Sequence, residues 1–466
     1  MQGKVWEERF ATPLAAEVDA LNRSAPFDWR LGPHDIQVSR VWSRALHRGG
    51  ALTEADLQAI LDGLDRIAEE WDAAGAGFLQ PDDEDIHMGI ERRLTELIGE
   101  PAERLHFGRS RNDMVATDMR LYIRAEAAAL ENAVRRLVKA LADQADGHRE
   151  TSFPGYTHLQ QAQQVSLAHV LLAHASACRK DAQRLAQLAG SITECPLGAG
   201  ALAGSAAPVD VAWIARELGF DAPAANSIEA VGSRDEVLDF LYLAARLGIH
   251  LSRLGEDVIL WSSQEFGYAT LGESSSTGSS QLPHKKNPDV FELARGKAAR
   301  LTGNLTTVMG MLKGLPSGYN KDLQEDKEPL FDAVDTLQLL LPAMTLAVQE
   351  LAFDPTRIEA SLRPELKVEQ VVGLLVERGL TFRQGYRLGQ RLVKGAGERD
   401  LRVDQLSLKA LLEISPEFDK QVQDILQGGW TVPGAGVSGG TSLKSVQAQL
   451  DDLRTWLGSP ARNPPK

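Results

Sequence analysis

Adjacent serines and adjacent lysines lie close together in residues 272–289. The first half of this stretch, Gly-Glu-Ser-Ser-Ser-Thr-Gly-Ser-Ser, is small and rich in hydroxyl groups, which is typical of a mobile surface loop. The second half places Lys285 and Lys286 before Asn287 and Pro288, a pair that suits a helix N-cap and first helical position. A loop that runs into two cations and the positive end of a helix would hold an anion. A disordered linker has a similar composition, and both interpretations stay open on local sequence.

A second segment also suits an anion. The run His106-Phe-Gly-Arg-Ser-Arg-Asn-Asp113 places Arg109, Arg111 and Asn112 at the start of a predicted helix. Guanidinium forks and an amide beside free backbone N–H groups are suited to binding a carboxylate. The alternative interpretation is a helix cap with solvated arginines.

Two more segments carry groups for proton transfer or hydrogen bonding. The run Pro154-Gly-Tyr-Thr-His-Leu-Gln160 puts His158 in a loop, where an imidazole can act as acid or base, although most histidines are structural. Residues 319–328 mix cations, anions and amides, so Tyr319, Gln324 and Lys327 could converge on a ligand. A charged helix start is the alternative for this last segment.

Metal and dinucleotide sites are not predicted. The spacing of His174 and Cys178 fits one helical face, but His169 is offset and no acidic ligand accompanies them. Packing in a helix bundle is therefore the preferred interpretation of these side chains. The glycines of residues 198–204 lack the spacing and the preceding strand of a dinucleotide loop, so we expect a tight connection there.

Helical periodicity dominates the chain, and alternating strand patterns are scarce, so we predict an all-α fold. Apolar residues lie on more than one stripe of the longest predicted helices, so each helix needs several neighbours in a bundle. A capping box at Ser110 and Asp113 predicts one helix start, and Ser233 with Glu236 predicts another. The long helices are expected at residues 110–146, 163–188, 233–261, 288–312 and 325–351.

Changes of texture predict three domains. Residues 1–109 form short helical patterns broken by Gly and Pro, and residues 110–357 hold the long helices and most motifs. Residues 358–466 return to shorter helical runs and are predicted to be a small helical domain.

Composition narrows the class of protein. The chain has 466 residues, 43% hydrophobic and 24% charged, as in a globular protein with a full core. A formal net charge of −14 disfavours general nucleic-acid binding. The two cysteines, Cys178 and Cys195, argue against a disulfide framework and favour a reducing cytosol. We expect no signal peptide and no membrane span, because the apolar runs are too short.

Taken together, these segments resemble the fumarase/aspartase superfamily. Its shared signature is a G-S-S-x-x-P-x-K-x-N-P loop, and Gly278-Ser-Ser-Gln-Leu-Pro-His-Lys-Lys-Asn-Pro288 matches it. Within that superfamily the chain resembles the argininosuccinate lyase family, which includes the δ-crystallins, along nearly its whole length. The strongest matches are residues 108–113, 154–160 and 319–328, with Gly439-Gly-Thr441 near the C-terminus.

The resemblance implies a three-domain, all-α subunit whose long central helices form a twenty-helix bundle in a homotetramer. Each active site would combine residues from three subunits. The implied activity is that of a carbon–nitrogen lyase, the reversible β-elimination of argininosuccinate to arginine and fumarate, without a cofactor or metal. It would serve cytoplasmic arginine biosynthesis. The expected partners are the small-molecule substrate and other copies of the chain, with no nucleic acid and no membrane.

The resemblance also implies residue roles. Ser279 would be the base that removes the proton next to a substrate carboxylate, activated by Lys285 and by the helix N-terminus. Lys285 and Asn287 would stabilise an aci-carboxylate intermediate. His158, oriented by Glu292, would donate the leaving-group proton or organise the site. The positions that match substrate contacts are Ser24, Asp28, Arg111, Asn112, Thr157, Asn287, Tyr319, Gln324 and Lys327.

Several positions depart from the family pattern and mark a divergent member. They are Phe107 and Met114 in the arginine segment, Gln164 after the histidine segment, and Gln281 and His284 in the signature loop. None of them replaces a residue with an implied role. Two alternatives remain at this stage: another fumarate-releasing lyase of the superfamily, such as adenylosuccinate lyase, and a non-catalytic, crystallin-like structural relative.

Overall fold

A computed structural model describes residues 14–432 and 437–460, together with residues 9 and 12. The prediction of an all-α fold is confirmed, because helices make up most of the described chain. In chain order the helices are α1 (Ala16–Asn22), α2 (Ala25–Asp28), α3 (Gly32–Arg48), α4 (Glu54–Ala74), α5 (Ile86–Ile98), α6 (Glu100–Glu103), α7 (Arg111–Gly147), α8 (Leu167–Ser191), α9 (Val211–Glu217), α10 (Ser227–Gly232), α11 (Asp235–Ser262), α12 (Asp289–Leu312), α13 (Lys327–Gln349), α14 (Pro355–Ser361), α15 (Val368–Glu377), α16 (Phe382–Gly397), α17 (Leu408–Ile414), α18 (Lys420–Gln427) and α19 (Leu443–Gly458).

Short strands lie in the connections between helices, and a 3₁₀ helix at Lys321–Asp326 directly precedes α13. In chain order the strands are β1 (Ser152–Thr157), β2 (Gln160–Ser166), β3 (Glu194–Cys195), β4 (Ala222–Pro223), β5 (Ala269–Thr270), β6 (Thr277–Gly278), β7 (Lys286–Asn287) and β8 (Ala352–Phe353). They form antiparallel pairs of β1 with β2, β5 with β8 and β6 with β7, and a parallel pair of β3 with β4.

Five long helices, α7, α8, α11, α12 and α13, pack together around one large hydrophobic core. Helices α7 and α13 run in the same direction. Near their starts, the ring of Tyr122 packs edge-on against Phe331 with centroids 5.1 Å apart. Near their ends, Gln144 Nε2 donates to the carbonyl oxygen of Val348 at 2.9 Å. The two helices therefore share one amino-terminal end and one carboxyl-terminal end.

A second, smaller core lies among α15, α16, α17 and α18. It includes Val371, Leu375, Leu392, Phe418 and Val422, all of them fully buried. The predicted domain bounds at residues 109 and 357 stay predictions, but the long helices and this second core lie on either side of residue 357.

Large apolar side chains remain exposed on three of the long helices. They are Tyr242 and Ile249 on α11, Leu293 and Met309 on α12, and Leu339 and Leu346 on α13.

The stretch Lys321–Gln349, which includes α13, is long and apolar enough to cross a membrane by length and composition. However, 56% of its most apolar window is buried inside the protein, as in a core helix.

The predicted cap of α7 is confirmed. The Ser110 hydroxyl accepts from the first turn of the helix, and the Asp113 carboxylate accepts from the backbone N–H of Ser110 at 2.9 Å. Asp113 also accepts from the N–H groups of Gly198 and Gly200 at 3.0 and 2.8 Å. The glycine segment is thus the tight connection that its sequence predicts, wrapped around a buried carboxylate.

Two other predicted helix caps are wrong. Pro288, not Asn287, is the N-cap residue of α12, because Asn287 lies in β7 and its amide donates to Thr277 Oγ1 at 3.3 Å. The N-cap of α11 is Arg234, and Glu236 does not complete a capping box there. Its carboxylate instead pairs with the Arg120 guanidinium at 2.9 Å.

The predicted helix at residues 163–188 also starts too early. Residues 163–166 belong to β2, which pairs with β1, and α8 begins at Leu167. Ser166 is the N-cap, since its hydroxyl accepts from the His169 N–H at 3.1 Å. Gln164 is buried in this strand and its amide donates to Ser152 Oγ and to the Thr431 carbonyl, both at 2.9 Å.

Close packing of α11 on α12 can be tested at Gly255. A Cβ at this position would lie 2.7 Å from the carbonyl oxygen of Phe291 in α12, so Gly255→Ala should force the helices apart. We expect a loss of about 1–3 kcal/mol, typical of overpacking, seen as a lower Tm in a thermal melt. Gly373→Ala in α15 is the matched control, because its Cβ would meet nothing within 4 Å. An equal Tm loss in both variants would contradict this packing.

Candidate active site

The shared amino-terminal end of α7 and α13 carries most of the predicted substrate contacts. Asp28 is 3% exposed and accepts from the Ser24 hydroxyl at 2.6 Å and from the Ile86 N–H at 3.2 Å. Burial, with help from the charge of Asp85, raises the pKa of Asp28 to about 6, against the opposing effects of Ser24 and Lys327. A carboxylate so poorly solvated is poised to pair with a cation.

Arg111 and Asn112 lie in the first turn of α7 at the same end. The Arg111 Nε is 3.1 Å from an oxygen of Asp85. Burial lowers the pKa of Arg111, but Asp85 and neighbouring carboxylates outweigh burial and raise it. The amide of Asn112 donates to the Ala201 carbonyl at 3.0 Å. Both side chains are therefore held in place before any ligand arrives.

Tyr319, Gln324 and Lys327 complete this cluster from the segment before α13. The Lys327 ammonium is 3.0 Å from Gln324 Oε1 and 3.0 Å from Asp326 Oδ1, and its side chain is 1% exposed. Burial raises the pKa of Tyr319, whose ring packs against Val231 and its neighbours. The end of the bundle thus combines two fixed cations with a carboxylate and uncharged hydrogen-bonding groups.

Acidic residues at this end were missed by sequence reasoning. Asp85 caps α5 by accepting from the Met88 N–H at 2.8 Å, and it also pairs with Arg111. The backbone carbonyl of Glu84 accepts from the N–H groups of Ser24 and Ala25 at 2.9 and 3.0 Å. The run Asp82-Asp-Glu-Asp85 directly before a predicted helix was the available signal, because such carboxylates often cap helices or bind cations.

Thr157 and His158 lie at the turn of the β1–β2 hairpin, far from this cluster in the fold. Both side chains are exposed, and His158 has φ 55° in the left-handed region. Three glutamines of β2 tie the hairpin to the C-terminal part of the chain. Their bonds are Gln161 Nε2 to Ser361 O at 2.8 Å, Gln163 Nε2 to Glu369 Oε1 at 2.9 Å and Gln164 Nε2 to Thr431 O at 2.9 Å.

The signature loop and the serines just before it have a defined conformation. Strands β6 and β7 pair across the loop, and Lys286 Nζ donates to the Leu271 carbonyl at 2.6 Å. Just before the loop, the hydroxyls of Ser274 and Ser275 donate to Glu350. These contacts favour the structured loop over the disordered linker. Closure of the loop over a substrate stays a prediction.

Ser279 is half-buried within that loop. Its Oγ accepts from the N–H groups of Gln281 and Leu282 at 3.2 and 3.0 Å, so the donors that reach it come from the loop and not from α12. Two N–H donors would stabilise an alkoxide at this oxygen. Lys285 is exposed in the same loop, and Glu292, which lies in the first turn of α12, is 3.7 Å from Arg295.

The predicted site residues around Asp28 and those of the signature loop lie at opposite ends of the long-helix bundle. Lys327 begins α13, whereas Glu350, which accepts from Ser275 just before the signature loop, directly follows α13. A helix of 23 residues is about 34 Å long. Likewise the 37 residues of α7, about 55 Å, separate Arg111 from the hairpin of His158. A single chain therefore brings together the set around Asp28 but does not bring Ser279 or His158 to it.

The histidines in the helices lie in ion pairs and packing. His174 Nε2 is 2.8 Å from Asp257, and burial raises the pKa of Cys178 to about 12, which keeps it a thiol. His87 meets Asp35 and Asp118 in a fully buried cluster. Burial lowers the pKa of His87, but Asp35 outweighs it and raises the pKa to about 10, which favours an imidazolium paired with Asp35.

Comparison with known proteins identifies the family of this chain. The family described as Lyase matches residues 8–303, and the family described as argininosuccinate lyase C-terminal matches residues 366–432. An argininosuccinate lyase from Roseiflexus castenholzii is 44% identical over 454 residues, covering 97% of this chain and 100% of that protein. The chain belongs to the argininosuccinate lyase family. The resemblance inferred from the motifs is confirmed.

Solved structures of the fumarase/aspartase superfamily share the fold. An EDDS lyase variant with bound fumarate is 26% identical, covers 96% of this chain and 91% of its own, and superposes with a TM-score of 0.80. A class II fumarase from Schistosoma mansoni superposes with a TM-score of 0.72 at 17% identity, covering 90% of this chain and 93% of its own. This member of the argininosuccinate lyase family thus keeps the superfamily fold over nearly its whole length.

The raised pKa of Asp28 makes the folded state bind a proton more tightly than the unfolded state does between pH 4 and 6. Ionised Asp28 should therefore destabilise the fold at pH 7.5 by about 3 kcal/mol, and this penalty should vanish as pH falls through 6 towards 4. We expect Asp28→Asn to have a higher Tm than the unsubstituted protein at pH 7.5, with the difference shrinking at lower pH.

Glu91→Gln is the contrasting variant. Burial raises the pKa of Glu91, but the hydrogen bond from His106 and the nearby arginines outweigh it and lower the pKa to about 2. Its ionised form contributes stability above pH 4.5, which is lost only as pH falls towards 2, so Glu91→Gln should lower the Tm at pH 7.5. An Asp28→Asn variant with a lower Tm at every pH would contradict the raised pKa.

Proposed function

We propose that this chain is an argininosuccinate lyase, which cleaves argininosuccinate reversibly to arginine and fumarate. The observation that carries the proposal is that side chains of opposite charge lie together at the amino-terminal end of the bundle. Asp28 lies there with Arg111 and Lys327, each held by neighbours. Argininosuccinate carries three carboxylates, a guanidinium and an ammonium, so it requires a site of both signs, whereas fumarate alone would require only cations.

The elimination needs a base, a stabiliser for the intermediate and a proton donor. Ser279, as an alkoxide, takes the proton next to a substrate carboxylate and becomes a hydroxyl, and the N–H groups of Gln281 and Leu282 stabilise that alkoxide before the transfer. Lys285 and Asn287 stabilise the aci-carboxylate, where negative charge develops in the transition state. His158, supported by Glu292, donates the leaving-group proton or organises the site. No step in this scheme requires a cofactor or a metal.

Substrate binding falls to the remaining predicted residues. Ser24 and Asp28 pair with a cationic group of the substrate, and Arg111 and Lys327 pair with its carboxylates. Uncharged groups fix its orientation through hydrogen bonds. These groups are the side chains of Asn112, Thr157, Tyr319 and Gln324, with Asn287 shared between binding and catalysis.

The active form is a homotetramer in which each site combines three subunits. Two observations support this proposal: Lys327 and the signature loop lie at opposite ends of α13, and α11, α12 and α13 expose large apolar side chains. Five long helices from each of four subunits would build a twenty-helix bundle and bury those side chains. The enzyme would work in the cytoplasm, in arginine biosynthesis, as its two buried free cysteines suit a reducing compartment.

Turnover can be followed directly as fumarate absorbance after argininosuccinate is added. We expect release of fumarate by the unsubstituted protein, and a loss of at least about a thousandfold in kcat for Ser279→Ala, because the base is removed. Ser280→Ala is the neighbouring control and should keep most activity with the same tetramer mass by light scattering. Release of fumarate from adenylosuccinate in preference, or binding of argininosuccinate without turnover, would contradict the proposal.

Shared sites can be tested by mixing impaired variants, assayed at a low substrate concentration at which each variant alone has little activity. Ser279→Ala and Lys327→Ala homotetramers, dissociated and reassembled together, should recover activity, because some sites then combine an intact loop with an intact Lys327. Ser279→Ala mixed with Lys285→Ala should recover none, since both changes fall in one loop and no intact loop exists. Recovery in both mixtures, or in neither, would contradict sites shared between subunits.

A further inference from the structure

Three buried charged side chains, Arg234, Asp326 and Lys327, lie next to one another at the start of α13, beside the candidate site. Asp326 is fully buried, and Arg234 and Lys327 are 3% and 1% exposed. One carboxylate oxygen of Asp326 accepts from Arg234 Nε, and the other is 3.0 Å from Lys327 Nζ. A single carboxylate thus bridges two cations that come from different parts of the fold, the start of α11 and the start of α13.

We propose that Asp326 and Arg234 are positioning residues for Lys327. They hold its ammonium where it meets a carboxylate of the substrate, and they do so without neutralising it. The inference rests on the proposed function, in which Lys327 binds the substrate.

The arrangement solves the problem of aiming a flexible side chain. A lysine side chain has about 2 kcal/mol of rotamer entropy to lose before it can present a fixed charge. Asp326 and Gln324 accept from Lys327 and so fix its position before substrate arrives. An ammonium has three N–H donors, and these two residues are its only hydrogen-bond acceptors within the described chain. One donor remains for a ligand.

Arg234 gives the cluster around Lys327 a net positive charge. Asp326 alone would cancel the charge of Lys327 and weaken its attraction for a carboxylate. Because Arg234 shares that carboxylate, the three groups together carry one net positive charge. The guanidinium is itself fixed by the α10–α11 connection, where its Nη1 donates to the Ser233 carbonyl at 2.6 Å.

Stability alone does not explain this arrangement. Arg234 Nη2 is buried and has no hydrogen-bond partner in the part of the chain that the structure describes. A buried donor without a partner costs about 1–3 kcal/mol. Buried ion pairs are in general weak stabilisers compared with apolar packing. The α10–α11 connection also packs directly on the segment of Tyr319, since a Cβ on Gly232 would lie 2.9 Å from the Gly318 carbonyl oxygen.

The first test compares kinetics in the full-length protein. Asp326→Asn should raise KM for argininosuccinate at least about tenfold and change kcat less than about threefold, because the lost contact serves ground state and transition state alike. Arg234→Gln should also raise KM, and Arg234→Lys should restore part of the loss by returning a cation. Glu236→Gln is the matched control, since it breaks the partly buried pair with Arg120, 2.9 Å apart, without touching Lys327. It should leave KM unchanged.

A double-variant cycle separates positioning from a general structural role. If Asp326 acts through Lys327, then Asp326→Asn should change KM little in a Lys327→Ala background. A further KM increase there equal to that in the unsubstituted background would overturn the proposal. So would an Asp326→Asn variant whose KM is unchanged, or an increase matched by Glu236→Gln.

Fumarate affinity, measured by isothermal titration calorimetry on the same variants, does not require turnover. Weakening of about tenfold in Asp326→Asn, with none in Glu236→Gln, supports the positioning role. Equal affinity in all three proteins overturns it. If the unsubstituted protein binds fumarate but releases none from argininosuccinate, the proposed function fails while the affinity comparison still decides the role of Asp326.

Discussion

Helices α7 and α13 run in parallel from one end of the bundle to the other, and their rigid length governs where chemistry can occur in this chain. Arg111 and Lys327 begin the two helices, and the edge-on contact of Tyr122 with Phe331 keeps those beginnings side by side. The signature loop is fastened to the far end through Glu350. About 34 Å of helix separates that loop from Lys327, so one chain does not bring the two groups of predicted site residues together. In the proposed tetramer, the exposed apolar residues of α11, α12 and α13 are the surfaces through which copies would bring these groups together.

Burial is used for electrostatic effect at the amino-terminal end. Asp28, Asp85 and Arg111 are each held by protein groups, and Lys327 lies against Asp326. Asp28, Asp85 and Lys327 are buried and so already desolvated, whereas Arg111 is partly exposed. A ligand that meets the buried groups encounters fixed dipoles and charges rather than mobile water. The raised pKa of Asp28 is the counterpart of this arrangement, because a carboxylate with too little solvation gains most from a cationic partner.

Sequence reasoning succeeded where the decisive contacts are local or where whole motifs identify a family. The α7 cap could be predicted because Ser110 and Asp113 are three residues apart and satisfy each other. The fold class followed from periodicity, and the family from the order of its motifs. Helix starts failed where a distant residue competes for the capping group. Glu236 is taken by Arg120 from another helix, and Asn287 is drawn into a strand pair with Thr277. The role of Asp85 likewise depends on Arg111, whose proximity no local pattern reveals.

The glutamine contacts of the β1–β2 hairpin have a mechanical meaning. Gln161, Gln163 and Gln164 bond to Ser361, Glu369 and Thr431, which lie at three separate points along the C-terminal part of the chain. The other strand is anchored to the long helix α11 and the segment just after it, because the hydroxyls of Tyr156 and Tyr268 hydrogen-bond at 2.9 Å and Phe153 packs on Trp261. The hairpin is therefore a brace between the long helices and the C-terminal part of the chain, and the position of His158 at its tip depends on both.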